Sequence, residues 1–516
     1  MKIGLLLQEL AQVAPNGRGI VFEDQSFSWR EMNERVNRLA NGLTAMGLTK
    51  GDKVAILAQN SHRFVETWIA LSKGGFVAVA LNSESAPPEV AFILEDSGAK
   101  ALLADEQYIE RIGQIALPPA VSRLICFNAK ADGWKNYEEL LATSSPQEPV
   151  TDVAPEDVRA LLYTSGTTGN PKGCVNTHGQ WHSSFKNFVE EIAPPRNEAM
   201  LLVVPLFVGY GSSFILSALL TQNTMIVLQR FRPDAVLDAI ERHKVAVAGF
   251  VPTMLIGMMN EPDFARRDLS SLKLIVYGGS VIAPAVLKTA LEKFKSGFCQ
   301  VFGMTEAGGF IAFLNQDDHR VDGSERMEAR LKSCGRSARY AKITIVDDDG
   351  NEVPPNELGE LTVRSSSTVT GYWNKPAETA AAIRNGALYT GDVAYKDADG
   401  YIFITDRKKE MIVSGGMNIY PAEIEAVIYR HPAVAQVAVI GVPDDKWGEA
   451  VKAVVELKPG IAATADELME FCAPHLAKQK RPKSFDFWKS LPTGASGKLA
   501  KKEIRDVYWK GHERKI

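Results

Sequence analysis

Through the middle of the chain, short apolar runs rich in β-branched residues alternate with stretches of helical periodicity, and this alternation limits the fold more than any other feature. Leu201–Pro205, Thr224–Leu228, Val245–Phe250, Leu272–Tyr277 and Gly297–Phe302 read as strands, and Ser213–Leu220, Pro233–His243 and Pro284–Phe294 as helices. Strands apolar on both faces and joined by helices belong in mainly parallel sheets covered by helices. The N-terminal part repeats the style, with helices at Trp29–Met46 and Phe64–Lys73 and strands at Lys53–Ala58 and Val77–Leu81.

From about Gly335 the texture changes to strands and tight turns: Lys342–Val346, Asp347-Asp-Asp-Gly350, Gly359–Arg364, Asp397-Ala-Asp-Gly400 and Tyr401–Thr405. This reads as a β-rich subdomain, and the polar cluster Asp406-Arg-Lys-Lys-Glu410 after it reads as a linker. The remainder carries its own α+β pattern. Pro421–Tyr429 is helical, Val434–Val442 and Ala450–Leu457 are strands, and a helix from Ala465 to Cys472 begins at a Thr464/Glu467 capping box. A chain of 516 residues exceeds one compact core. The expected division is 1–405, a hinge at 406–409, and 410–516.

An apolar fraction of 45% with 23% charged residues suits a soluble globular protein, and a net charge of −4 supplies no general attraction to nucleic acid or acidic membranes. The five cysteines (Cys126, Cys174, Cys299, Cys334, Cys472) are scattered without ligand spacing. They fit buried thiols in a reducing compartment, so the cytoplasm is expected. The apolar run at Met1-Lys-Ile-Gly-Leu-Leu-Leu is too short for a signal peptide. Leu201–Leu220 lacks charge, but Pro205, Gly209 and Gly211 inside it favour a strand, a turn and a helix over a membrane span.

The segment Leu161-Leu-Tyr-Thr-Ser-Gly-Thr-Thr-Gly-Asn-Pro-Lys-Gly173 begins as an apolar strand and runs into a loop of glycines and hydroxylated residues. Glycines let backbone N–H groups approach an anion closely, hydroxyls add donors, and Lys172 adds a positive charge. The combination suits a polyphosphate, although the Gly-Lys-[Ser/Thr] of a Walker loop is missing. Alone, such a loop is as well read as a plain Ser/Thr/Gly surface loop.

The loop resembles the phosphate-binding signature of the adenylate-forming superfamily: acyl- and aryl-CoA ligases, firefly luciferase and nonribosomal peptide adenylation domains. Further motifs follow in the family's order. They are Pro205-Leu-Phe207, Tyr277-Gly-Gly-Ser280, Gln300-Val-Phe-Gly-Met-Thr-Glu306, Ser333-Cys-Gly-Arg336, Gly359-Glu-Leu361, Tyr389-Thr-Gly-Asp392, Asp406-Arg-Lys-Lys409, Ser414-Gly-Gly-Met-Asn-Ile-Tyr-Pro-Ala-Glu-Ile-Glu425 and Leu491-Pro-Thr-Gly-Ala-Ser-Gly-Lys498. The resemblance implies a large α/β N-terminal domain of two helix-covered, mainly parallel sheets with a β-rich subdomain, and a small mobile α+β C-terminal domain. It implies an ATP- and Mg²⁺-dependent acid:coenzyme A ligase: the carboxylate and ATP give an acyl-AMP and pyrophosphate, and the acyl group then moves to the CoA thiol.

By position, Thr164 and Glu306 would hold Mg²⁺. Ser165, Gly166, Thr167, Thr168, Gly169 and Lys172 would cradle the β- and γ-phosphates. Gly278, Gly279, Ser280, Gln300, Phe302, Gly303, Met304 and Thr305 would surround the adenine side, with Phe302 where the family usually has Tyr. Asp392 and Arg407 would bind the ribose. Lys498 would be catalytic, bridging the attacking carboxylate and the α-phosphate. Lys409 would be the hinge about which the C-terminal domain swings, bringing Ser414, Gly415 and Gly416 round to line the pantetheine tunnel. Family members often carry Lys where this chain has Gly415.

The acyl pocket would draw on Phe207, Val208, Tyr210, Phe214, Val251, Pro252, Tyr277, Met304, Ala307 and Phe310, a nearly apolar set that suits an aromatic or medium-chain aliphatic acid. Val208 stands where many CoA ligases have His, and Tyr210 points weakly toward aryl acids. No acidic residue lies between Pro205 and Leu220 to pair with an amino acid's amine. His178 and His182, four apart, lack a third ligand for a metal. Trp447 reads as packing, and the basic tail as a solvated face. Two other roles compete: loading a carrier-protein phosphopantetheine, and luciferase-like oxidation. A nonenzymatic nucleotide sensor is disfavoured by Lys498 and Glu306. A monomer and a homodimer are both open.

Overall fold

The computed structural model describes residues 3–164, 170–280, 282–320, 323–407, 410–414, 417–444, 447–494 and 499–510. The strands in chain order are β1 (Arg18–Phe22), β2 (Gln25–Ser28), β3 (Lys53–Leu57), β4 (Val77–Ala80), β5 (Ala101–Ala104), β6 (Arg123–Cys126), β7 (Lys135–Asn136), β8 (Val158–Thr164), β9 (Lys172–Thr177), β10 (Ala199–Leu202), β11 (Thr224–Val227), β12 (Val245–Phe250) and β13 (Leu274–Gly278). They continue with β14 (Gly297–Met304), β15 (Gly309–Leu314), β16 (Arg336–Ser337), β17 (Ala341–Val346), β18 (Gly359–Ser365), β19 (Ile383–Arg384), β20 (Ala387–Lys396), β21 (Ile402–Arg407), β22 (Ile412–Ser414), β23 (Met417–Ile419), β24 (Val434–Asp444), β25 (Gly448–Leu457) and β26 (Ser484–Phe487).

Two large sheets form the N-terminal part. One runs β16-β15-β14-β13-β12-β10-β11-β1-β2 and the other β7-β6-β5-β3-β4-β8-β9. Their centres are parallel, with antiparallel strands only at the margins, including β8 against β9 and β14 against β15. The two sheets share one apolar core. Val54, Ile56 and Ala160 of one sheet join Met200, Leu202 and Val276 of the other, with Val36, Trp68, Phe188 and Phe214 from the helices. A second core covers the outer face of the longer sheet and a third that of the shorter one. Strands buried on both faces are what the unbroken runs at Val245–Phe250 and Leu274–Gly278 require.

The uncharged stretch after Leu201 resolves into β10 and the helix Gly209–Thr221, and among the described residues no helix is long and apolar enough to cross a membrane. The third sheet, β17 to β21, is wholly antiparallel. β21 extends through Asp406 and Arg407, the first two residues of the expected hinge, and Lys408 and Lys409 lie outside the described residues. The fourth sheet, β22 to β26, packs over cores built from residues from Ile412 onward. All five cysteines are free and buried.

Candidate active site

β8 carries Thr164 at its end, and the antiparallel return through β9 sets Lys172 directly opposite it. Thr164 Oγ1 donates to Glu306 Oε1 at 3.4 Å, a contact that joins the margins of the two large sheets. Glu306 sits in the single 3₁₀ turn Thr305–Ala307 after β14. This turn is tight: a Cβ on Gly303 would lie 2.0 Å from the Gly309 carbonyl oxygen. Gly308, at φ +76°, would place one 1.7 Å from Ser367 O. The Ser367 hydroxyl donates to Ala307 O at 2.8 Å, and Val369 N–H donates to Glu306 O at 3.1 Å.

Tyr372, from the same crossing segment, donates its hydroxyl to Glu306 Oε1 at 3.1 Å. Lys172 Nζ lies 5.2 Å from the centre of its ring. Behind this group Cys174 is fully buried; burial first, and then the Glu306 charge, push its thiol well above the ordinary range. It is therefore a packing residue at the site, without thiolate character.

The residues expected on the adenine side lie at the carboxyl ends of β13 and β14, where parallel sheets bind ligands. A Cβ on Gly278 would meet Val301 O at 2.4 Å, and Gly279 has φ +86°, so close strand approach and a left-handed turn each demand glycine. Gly279, Ser280 and Gly303 are exposed, whereas Gln300, Phe302, Met304 and Thr305 are half-buried. On β20 and β21, Asp392 and Arg407 are direct cross-strand neighbours, and Asp392 is buried.

Of the expected acyl residues, Tyr210, Phe214 and Phe310 meet in a ring closed by Phe188. The centroid distances are 5.6 Å for Phe188–Phe214, 5.0 Å for Phe188–Phe310, 5.5 Å for Tyr210–Phe214 and 5.6 Å for Tyr210–Phe310. Ala307, Phe207 and Met304 join the same core. Tyr277 does not. Its side chain turns to the opposite face of β13, fully buried, with its hydroxyl 2.9 Å from His319 Nε2 and 3.1 Å from Gln300 Oε1. Strand alternation explains the difference, since Val276 takes the Phe214 side. Val251 also packs with that second core. The Tyr210 hydroxyl donates to Val276 O at 2.9 Å and Phe250 O at 3.2 Å, so it contributes a ring rather than a polar handle.

Ser165, Gly166, Thr167, Thr168, Gly169, Lys409, Gly415, Gly416 and Lys498 lie outside the described residues. The stems around them are described. Ser414 pairs with Met417 across the β22–β23 hairpin and with Gly448 of β25. Thr493 pairs with Leu499, and Ala500 N–H donates to Pro492 O at 2.8 Å. Trp447, expected to pack, is 46% exposed beside Gly448. His178 starts the helix His178–Ile192, capped by Thr177 and Gln180. Sequence reasoning missed Tyr372 and Phe188. Tyr372 lies next to Gly371 (φ +151°) in a turn before a helix and has no spacing tied to the loop, so only its fold neighbours reveal it.

Thr164 and Glu306 supply oxygen donors within reach of one another, the donor set a hard cation such as Mg²⁺ takes, so the residues present fit the ion.

The AMP-binding enzyme family pattern matches residues 7–373, and its C-terminal domain pattern matches residues 423–498. A feruloyl-CoA synthase of Amycolatopsis sp. is 36% identical over 496 residues, 96% of each chain. A fatty acid–[acyl-carrier-protein] ligase of Streptomyces coeruleorubidus is 33% identical over 511 residues, 98% of this chain and 96% of that one. The solved o-succinylbenzoate CoA synthetase of Bacillus subtilis, in complex with its acyl-adenylate intermediate, has a TM-score of 0.84 at 32% identity, covering 97% of this chain and 98% of that one. The chain belongs to the AMP-binding enzyme family, the adenylate-forming superfamily. Within it, the chain is an AMP-forming ligase of the acyl- and aryl-CoA ligase type.

Proposed function

We propose that the protein joins a hydrophobic carboxylic acid, aromatic or medium-chain aliphatic, to the thiol of coenzyme A through an acyl-adenylate. The observation that carries this reading is the Thr164–Glu306 contact with Lys172 opposite, which joins the two sheets at the start of the segment expected to bind a polyphosphate. A carboxylate oxygen attacks the α-phosphorus of ATP, and the bond to the β-phosphate breaks to release pyrophosphate. The thiol then attacks the acyl carbon and AMP leaves. Lys172 and the loop 165–169 would hold the phosphates, and Asp392 and Arg407 the ribose. Gly278, Gly279, Ser280, Gln300 and Phe302 would form the adenine site, and Lys498 would stabilise the charge that develops in adenylation. Mg²⁺ on Thr164 and Glu306 would neutralise phosphate charge. A swing about Lys409 would exchange Lys498 for the Ser414–Gly416 loop between the two steps, with the N-terminal part closing near Arg407.

The apolar ring of Phe188, Tyr210, Phe214 and Phe310 supports a hydrophobic acid. The relative that is a fatty acid–[acyl-carrier-protein] ligase supports a second acceptor, a carrier-protein phosphopantetheine. The test incubates protein, ATP and Mg²⁺ with a broad panel of acids and measures pyrophosphate. Release with at least one hydrophobic acid is expected, and none across the panel would sink the proposal. Mass spectrometry of the thioester formed with CoA against a holo carrier protein separates the two acceptors.

A further inference from the structure

We propose that Tyr372 is a positioning residue of the adenylation site, its hydroxyl orienting the Glu306 carboxylate and its ring seating the Lys172 ammonium. The inference rests on the reading of Thr164, Lys172 and Glu306 as the phosphate and cation site.

Two donors meet the same Glu306 oxygen: Tyr372 OH at 3.1 Å and Thr164 Oγ1 at 3.4 Å. Convergence on one oxygen restrains the rotation of the carboxylate. The tyrosine contact is the shorter of the two, so Tyr372 is the closer anchor.

The ring has its own role, because Lys172 Nζ stands 5.2 Å from its centroid, within reach of the π-face attraction. One side chain therefore touches both the anion and the cation that the site needs. Its backbone is fixed independently. Tyr372 N–H donates to Thr379 Oγ1 at 2.9 Å, and Trp373 N–H to Gly173 O at 2.7 Å. Tyr372 also forms a β-bridge with Cys174, and Val175 N–H donates to Gly371 O at 2.9 Å. The segment 369–373 is thus laced to the loop strand on one side and, through Val369 and Glu306, to the acidic turn on the other. A tyrosine held so firmly can impose a geometry on softer neighbours.

The experiment compares Tyr372→Phe, Tyr372→Leu, Glu306→Gln and the Tyr372→Phe/Glu306→Gln double variant. It reads the MgATP dissociation constant by calorimetry, the Mg²⁺ half-saturation point, and pyrophosphate release. Tyr372→Phe keeps the packing and is expected to weaken MgATP binding about ten-fold, with a matching rise in the Mg²⁺ midpoint. Tyr372→Leu is expected to weaken it further through Lys172. In the Glu306→Gln background Tyr372→Phe should cost clearly less than in the wild type, because the carboxylate it positions is gone and only an amide oxygen remains to accept from it. Thioester formation from preformed acyl-adenylate should stay at the wild-type rate in Tyr372→Phe. Wild-type MgATP affinity in Tyr372→Phe, or fully additive effects in the double variant, would overturn the assignment. If wild-type protein binds MgATP yet releases no pyrophosphate with any acid, the ligase reading fails while the binding comparison still tests Tyr372.

Discussion

Gly249 of β12 lies beneath the Phe214 ring so closely that a Cβ there would be 2.3 Å from Phe214 Cζ and 2.4 Å from Cε2. Ordinary contact begins near 3.4 Å, so Gly249→Ala must move the ring tip by about 1.1 Å. The ring has little room elsewhere: Phe214 is 2% exposed, Phe188 stands 5.6 Å away and Tyr210 5.5 Å away. Tyr210 resists displacement because its hydroxyl is tied to Val276 O and Phe250 O. The displaced ring therefore intrudes on the space proposed for the acid, at an overpacking cost of about 1–3 kcal/mol. If the pocket loses room for one methylene, about 0.8 kcal/mol of binding goes with it, roughly a four-fold fall in kcat/KM for acids that fill the pocket. The assay is pyrophosphate release across linear acids of increasing length and across substituted aryl acids, with urea midpoints measured in parallel. The optimum should move to shorter or narrower acids. An unchanged acid profile with lowered stability would place Phe214 outside the acid's pocket, and no change in either would refute the packing argument.

Lys498→Ala should abolish adenylate formation yet largely spare thioester formation from a preformed acyl-adenylate; equal loss of both steps would contradict the role given to Lys498. Lys501, with its side chain 18% exposed, lies 2.9 Å from Glu425 and 3.4 Å from Glu410. Lys501→Met removes the cation those two carboxylates share and should cost about 2 kcal/mol in urea unfolding, less than a fully buried pair because water reaches the cluster. Neither ring nitrogen of the buried His62 has a hydrogen-bond partner among the described residues, and burial, with the Arg63 and Arg35 charges, drives its pKa down to about 3; burial takes His319 to about 4. The unfolded chain takes up these protons below about pH 6.5 and the folded chain refuses them, so the stability they contribute is present above pH 6.5 and lost as pH falls toward 4. His62→Leu should therefore reduce the slope of stability against pH in that window by about 1.4 kcal/mol per unit, measured by urea unfolding at three pH values, and an unchanged slope would refute it.

The architecture was readable because its strongest signals are local. Pro233–His243, Val245–Phe250, Pro284–Phe294 and Ala465–Cys472 form where periodicity and flanking prolines or caps place them. Elements whose stability comes from partners were less legible, such as the opening helix Ile3–Val13 and the short hairpin β22–β23. In the site, the glycines at 278, 303 and 308 reflect backbone crowding that a motif records. Tyr277 lies on the face opposite Phe214, a difference the motif does not encode because a motif gives position along a strand, and the strand's two-residue alternation decides the face. Tyr372 and Phe188 reach the site through crossings of 66 and 122 residues in the chain to Glu306 and Phe310, contacts that no local pattern encodes.

In the proposed reaction a carboxylate oxygen becomes bonded to the α-phosphorus of ATP before the thiol attacks. Supplying an accepted acid labelled with ¹⁸O in its carboxylate, with ATP, Mg²⁺ and CoA, tests this directly by mass spectrometry of the nucleotide product. AMP carrying one ¹⁸O and unlabelled pyrophosphate is the expected result; ADP with labelled phosphate, or AMP without label, would refute an acyl-adenylate intermediate.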